Sequence, residues 1–172
     1  MKVYWHALLA VLCLLDSAGV PAEESVSEAK LKAGFIVNFI QFVRWPRNPM
    51  PLVLCGLGTD RSRELREELG SISTRNPALV VLWVRSVSAL DGCHAVYVTA
   101  EQGGELPAVV AATAGRPVLV IADLDGGAPL GAMLSLVRRG DGQLGFDANL
   151  GAVHAAGLGM NSRLLQLARR VY

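Results

Sequence analysis

The sequence predicts a single α/β domain, a layered sandwich in which a sheet is flanked by helices. Three observations predict it. Short β-branched runs at residues 78–84 and 118–122 alternate with helix-length stretches. An Asp-Gly turn joins two further strand-like runs near the C-terminus. No repeat or long polar linker divides the chain.

Taken in order, the first element reads as a secretory signal. Lys2 gives a basic start, an apolar stretch runs from Trp5 to Leu15, and Val20-Pro21-Ala22 places small residues where a signal peptidase needs them. Cleavage is expected before Glu23, giving a signal peptide at residues 1–22 and a mature domain at 23–172. The apolar run falls short of the roughly 20 residues of a membrane span. His6 inside it also argues against an anchor, so no membrane insertion is expected after processing. Leu12 before Cys13, and Leu14 and Leu15 after it, do not fit a lipoprotein site.

Ser25-Val26-Ser27-Glu28 fits a capping box in which the first serine starts a helix and the glutamate reaches back. Leu31, Phe35, Phe39, Phe42 and Val43 share one face at helical spacing, Ile36, Val37 and Ile40 widen it, and Pro46 ends it. Lys30 and Lys32 fall on the remaining, polar face. A strand is expected at 52–55, then a Gly turn, then a helix at 61–69 capped by Thr59 or Asp60. Strands at 78–84, 95–98 and 118–122 follow, with a helix at 106–113 before the last. The unbroken Val, Leu and Ile of 118–122 suit a strand covered on both faces. Residues 133–137 and 144–146 flank Gly140-Asp141-Gly142 and predict a hairpin. A helix at 150–156, capped by Asp147 or Asn149 and ended by Gly157, leads to a last helix or strand at 162–170.

The composition excludes some classes of function. With 52% hydrophobic and 18% charged residues, the chain can build one core and a soluble surface. A net charge of +1 gives no electrostatic footprint for nucleic acid, and Arg138-Arg139 and Arg169-Arg170 read as solvated edges. Gly56-x-Gly58 lacks the third glycine of a dinucleotide loop, since Arg61 stands there, and reads as a plain strand-to-helix turn. Asp123-Leu124-Asp125-Gly126-Gly127 lacks the further oxygen ligands of a calcium loop. Zinc on Cys55, Cys93 and His94 would need adjacent ligands in an unusual spacing. No Gly-x-Ser-x-Gly elbow occurs, and Glu67 and Glu68 sit with Arg63 and Arg66 on a solvated face. No catalytic residue, metal or cofactor is expected.

Cys55 and Cys93 are the two cysteines of the mature chain. An even count in an oxidising compartment suggests a disulfide, and two buried thiols are the alternative. The bond meets a geometric objection. Cys55 lies late in its strand and Cys93 at the entrance to another, and a bond needs Cα atoms within about 7 Å.

Five segments, taken together, resemble one family. They are KLKAGFIVNFIQFVRWP from Lys30, LVLCGLGTD from Leu52, CHAVYVT from Cys93, PVLVIAD from Pro117, and GQLGFDANLGAVHAAGLGMNSRLLQLA from Gly142. The last is similar to a closing Phe-x-x-Asn-Leu unit, an alanine-rich helix and Ser-Arg-Leu-Leu-x-Leu-Ala. The mature chain thereby resembles the YfiR family of periplasmic regulators. The resemblance implies a mixed sheet flanked by helices, often dimeric, and a disulfide at the positions of Cys55 and Cys93. It also implies binding to the periplasmic domain of an inner-membrane diguanylate cyclase, restraining cyclic di-GMP synthesis. The chain departs from the family pattern at 124–132, where a second cysteine pair and a Gly-Gly-Met-Ile pattern are absent.

The combined expectation is a mixed, mostly parallel sheet flanked by helices, with a C-terminal hairpin, in a periplasmic interaction protein that is not an enzyme. Contact residues are expected on loops that interrupt the sheet pattern: residues 123–132 with Asp125, and the hairpin with Arg138, Arg139 and Asp141. The alternatives are a small-molecule binder using the C-terminal ends of the parallel strands, and a hydrolase not recognisable from its motifs.

Overall fold

A computed structural model describes residues 26–58 and 63–172. The expected signal peptide and the expected caps Ser25, Thr59 and Asp60 lie outside the described residues.

The first helix, α1, spans Glu28–Phe42 and is capped by Ser27, whose side chain accepts from the Lys30 N–H at 3.2 Å. The cap is therefore two residues later than the capping box predicts. Glu28 is free of the capping role and bonds to Lys32 and Arg138 instead. The buried face of α1 is Ala33, Ile36, Phe39 and Ile40. Leu31, expected inside, stays 44% exposed in the first turn.

After α1 come β1 at Val43–Arg44, β2 at Leu52–Leu57, α2 at Arg63–Arg75, β3 at Leu79–Val84 and β4 at Ala95–Val98. The chain continues through α3 at Leu106–Thr113, β5 at Leu119–Ala122, β6 at Leu134–Arg138 and β7 at Leu144–Ala148. It ends with α4 at Leu150–Ala155, β8 at Gly159–Met160, α5 at Ser162–Leu167 and β9 at Arg170–Val171. Asn149, rather than Asp147, caps α4, accepting from the Ala152 N–H at 2.8 Å. Gly157 ends it at φ +68°, a conformation that suits glycine. The closing segment resolves into both a helix, α5, and a short strand, β9.

Among the described residues one sheet runs β3-β2-β4-β5-β6-β7-β9, and β1 pairs with β8 separately. Every pair in the large sheet is parallel except β6 with β7. The mixed, mostly parallel sheet and the C-terminal hairpin are both present. Alternation with period two sends Leu54, Tyr97, Ile121, Leu136 and Phe146 to one face, with α1, α2, α4 and α5. Cys55, Leu57, Val96, Val98, Val120 and Ala122 go to the other, with α3. Phe35, Phe39 and Phe146 form an aromatic knot, Phe39 and Phe146 meeting edge to face at 4.9 Å between centroids.

Cys55 and Cys93 are joined in a disulfide with Cα atoms 5.9 Å apart. The geometric objection fails because Cys93 precedes β4 in a turn that folds under the sheet beside β2. His94 fixes that turn, its N–H donating to the Val53 carbonyl and its Nδ1 accepting from the Val53 N–H. With both sulfurs bonded to each other, neither is a thiolate available to zinc.

The glycines at 56 and 58 have a packing explanation. A Cβ on Gly56 would lie 2.6 Å from the Trp83 ring, and one on Gly58 would lie 2.6 Å from the Thr99 methyl. Both admit a neighbour, and Gly56 lies within β2 rather than in a turn.

Candidate functional site

In an open parallel sheet, ligands bind outside the carboxyl ends of the strands, where successive connections leave in opposite directions. Here β2 leads through α2 to β3 on one side, and β4 leads through α3 to β5 on the other. The switch point is therefore between β2 and β4. A cavity of about 500 Å³ opens there. Its lining includes Glu28 and Lys32 from α1, Arg63 and Glu64 from α2, Tyr97, Thr99 and Glu101 around the end of β4, and Asp123 after β5.

A charged network crosses its floor. Lys32 donates to Asp123 Oδ2 at 2.6 Å and to Glu28 Oε1 at 2.8 Å. The buried Tyr97 hydroxyl donates to the same Asp123 oxygen at 3.0 Å. Arg138, at the end of β6, closes the chain onto Glu28. The order of contacts is thus Tyr97, Asp123, Lys32, Glu28, Arg138. These five residues come from β4, the β5 exit, α1 and β6, so only the fold assembles them.

Charge states follow from the partners. Burial opposes charge on Lys32, yet the hydrogen bonds it donates to Asp123 and Glu28 outweigh it and raise its pKa above the ordinary lysine value. The Lys32 hydrogen bond holds Glu28 below the usual carboxylate range, with Arg138 acting in the same direction. Burial, reinforced by the Asp123 charge, keeps the Tyr97 phenol protonated well beyond its normal range. These shifts favour Lys32 as the ammonium, Glu28 as the carboxylate and Tyr97 as the neutral phenol.

The residues expected to contact a partner lie around this same end. Arg138 and Arg139 begin the hairpin turn, with Arg139 3.9 Å from Asp141. The Asp141 side chain also accepts the Gln143 N–H. Asp125 is exposed and meets Arg169 at 3.1 Å. Two readings of these regions change. Residues 123–132 are not a free loop throughout: Ala128 and Ala132 are fully buried, and Ser135 binds the Leu124 carbonyl beneath them. Arg169 is exposed but is more than a solvated edge residue. It makes two bonds, of 2.9 and 2.7 Å, to Asp147, which is 1% exposed, so this buried carboxylate has its partner.

Sequence reasoning missed the Lys32–Asp123–Tyr97 cluster. Lys32 was legible only as a polar-face lysine, because the pairing spans 91 residues. The one available signal was Asp123 itself, an acid ending a doubly covered strand.

The architecture defines an α/β sandwich with a switch-point cleft, a class that includes many binding proteins. Within that class the chain belongs to the YfiR/HmsC-like family, which matches residues 29–169. That family is regulatory and non-catalytic, is periplasmic, and binds partner periplasmic domains. Two solved structures are similar in fold. One is a conserved domain protein from Vibrio cholerae O1 biovar El Tor, at 13% identity and TM-score 0.58, with 85% of this chain and 60% of that one covered. The other is an ABC domain in complex with L-Trp from Streptococcus pneumonia, at 13% identity and TM-score 0.60, with 84% and 60% covered. This chain thus aligns with three-fifths of each of those proteins.

Proposed function

We propose that the protein is exported, with cleavage before Glu23, and restrains an inner-membrane diguanylate cyclase by binding its periplasmic domain. The observation that carries this reading is the family match across residues 29–169. The disulfide suits an oxidising compartment. Among the described residues no helix is long and apolar enough to cross a membrane.

The contact surface is the exit end of the sheet, where Arg138, Arg139 and Asp141 stand on the hairpin and Asp125 on the neighbouring loop. Exposed charges of this kind steer association and fix orientation more than they hold the fold. Restraint requires the protein to bind one state of the cyclase better than the other, because only differential affinity moves such an equilibrium.

The test is the double charge reversal Arg138→Glu with Arg139→Glu in cells that carry the cyclase. Cyclic di-GMP is expected to rise while periplasmic abundance and melting temperature hold. Full restraint by the well-folded double variant would remove the hairpin from the interface. Unchanged cyclic di-GMP on deletion of the gene would overturn the cyclase as partner.

A further inference from the structure

We infer that a second cavity, at the opposite end of the sheet where β2, β4 and β5 begin, binds a small organic carboxylate with an apolar body. This site is remote from the surface assigned above to a macromolecular partner and does not rest on that reading.

The cavity measures about 450 Å³, within the usual range for small-molecule sites, and is lined by Trp45, Pro46, Arg47, Pro49, His94 and Pro117. Its walls are mostly apolar and stiff. Pro46, Pro49 and Pro117 have no side-chain rotamers to lose when a ligand settles on them. Trp45 is itself held in the core. Such a wall is organised before the ligand arrives, which lowers the cost of binding.

Two polar groups select the ligand class. The first is His94. Its Nδ1 accepts from the Val53 N–H at 3.0 Å, so the proton of the neutral imidazole sits on Nε2. Nε2 has no hydrogen-bond partner among the described residues, and it is not enclosed either: the buried side-chain atoms left unpaired are Trp45 Nε1, Trp83 Nε1 and Thr99 Oγ1. His94 thus spends Nδ1 on the sheet and keeps an accessible Nε2–H donor where it lines the cavity. The bond from its own N–H to the Val53 carbonyl and the disulfide at Cys93 fix the backbone that carries this donor. The second group is Arg47, which is exposed and makes no ion pair with a described residue, so its guanidinium is uncommitted. No carboxylate is among the described residues that line the cavity. An amine would therefore meet a cation with no acid to receive it. A carboxylate would meet a guanidinium and an imidazole N–H, the donors of charge-assisted hydrogen bonds. A bare inorganic anion would leave the proline and tryptophan walls unused.

The experiment is calorimetric titration of the purified protein, without any partner, using benzoate as probe. Acetate carries the head without the body, benzyl alcohol the body without the charge, and benzylamine the body with the opposite charge. Benzoate is expected to bind saturably and more tightly than all three. Arg47→Met, at an exposed and unpaired position, should weaken benzoate binding by about tenfold or more while the melting temperature holds. His94→Asn keeps an acceptor near the position of Nδ1 for the Val53 N–H and removes the Nε2–H donor. It should also weaken benzoate, read beside its melting curve; if it unfolds the protein, Arg47→Met decides alone. No saturable binding of benzoate, equal or tighter binding of any of the three controls, or benzoate binding indifferent to a folded Arg47→Met variant would each overturn the inference.

Discussion

The two ends of the parallel sheet are built from different chemistry. At the entry end, where β2, β4 and β5 begin, a cavity of about 450 Å³ is lined by Trp45, Pro46, Arg47, Pro49, His94 and Pro117. Rigid and apolar residues dominate there, and the nearby disulfide and the paired hydrogen bonds of His94 to Val53 tie β2 to the start of β4. At the exit end Asp123, Lys32, Glu28 and Arg138 are linked by ion pairs. One end is fastened by a covalent bond and fixed backbone. The other is held by charges that an ion, a partner or a change of pH can compete for. The exit end can therefore respond while the entry end keeps the fold in place.

The largest expected effect separates the ends directly. Lys32→Met removes the main counter-charge from Asp123, whose side chain is only 15% exposed. It should destabilise the protein by about 2 kcal/mol, the cost of a buried polar group left underpaired. Arg47→Met, an exposed cation at the entry end, should change stability by less than about 0.5 kcal/mol. Urea denaturation of both variants checks this, and equal losses would break the contrast.

The smaller effect is a pH dependence. The Glu28 carboxyl is held below its unfolded pKa, so its contribution is present above that value and is lost as pH falls through the lower folded one. Because Glu28 is 46% exposed, the loss should stay below about 1 kcal/mol. Thermal melts of wild type and Glu28→Gln between pH 7 and pH 3 should converge toward the acid end. A constant gap across that range would remove Glu28 from the linkage.

Much of the fold was legible because its signals are local. The Asp-Gly turn located the hairpin, and the runs at 95–98 and 106–113 match β4 and α3 residue for residue. Asn149 and Gly157 marked both ends of α4. What the sequence hid depends on long-range packing. Gly56 reads as a turn glycine until the Trp83 ring is seen to occupy its Cβ space. Arg169 reads as a surface charge until Asp147 is found buried beside it. Arg138, Arg139, Asp141 and Asp125 stand out in the sequence as interruptions of the sheet pattern, but none of them lines the cleft. The cleft itself arises only when α1 crosses the exit end and brings Lys32 to Asp123.

Recognition at the exit end is tested most directly by amide hydrogen exchange of the protein with and without the purified periplasmic domain of the cyclase. Added protection should fall on residues 123–127 and 138–143, with little change at 45–51 and 91–94. Protection confined to the entry end, with the hairpin unaffected in a saturated complex, would contradict the account.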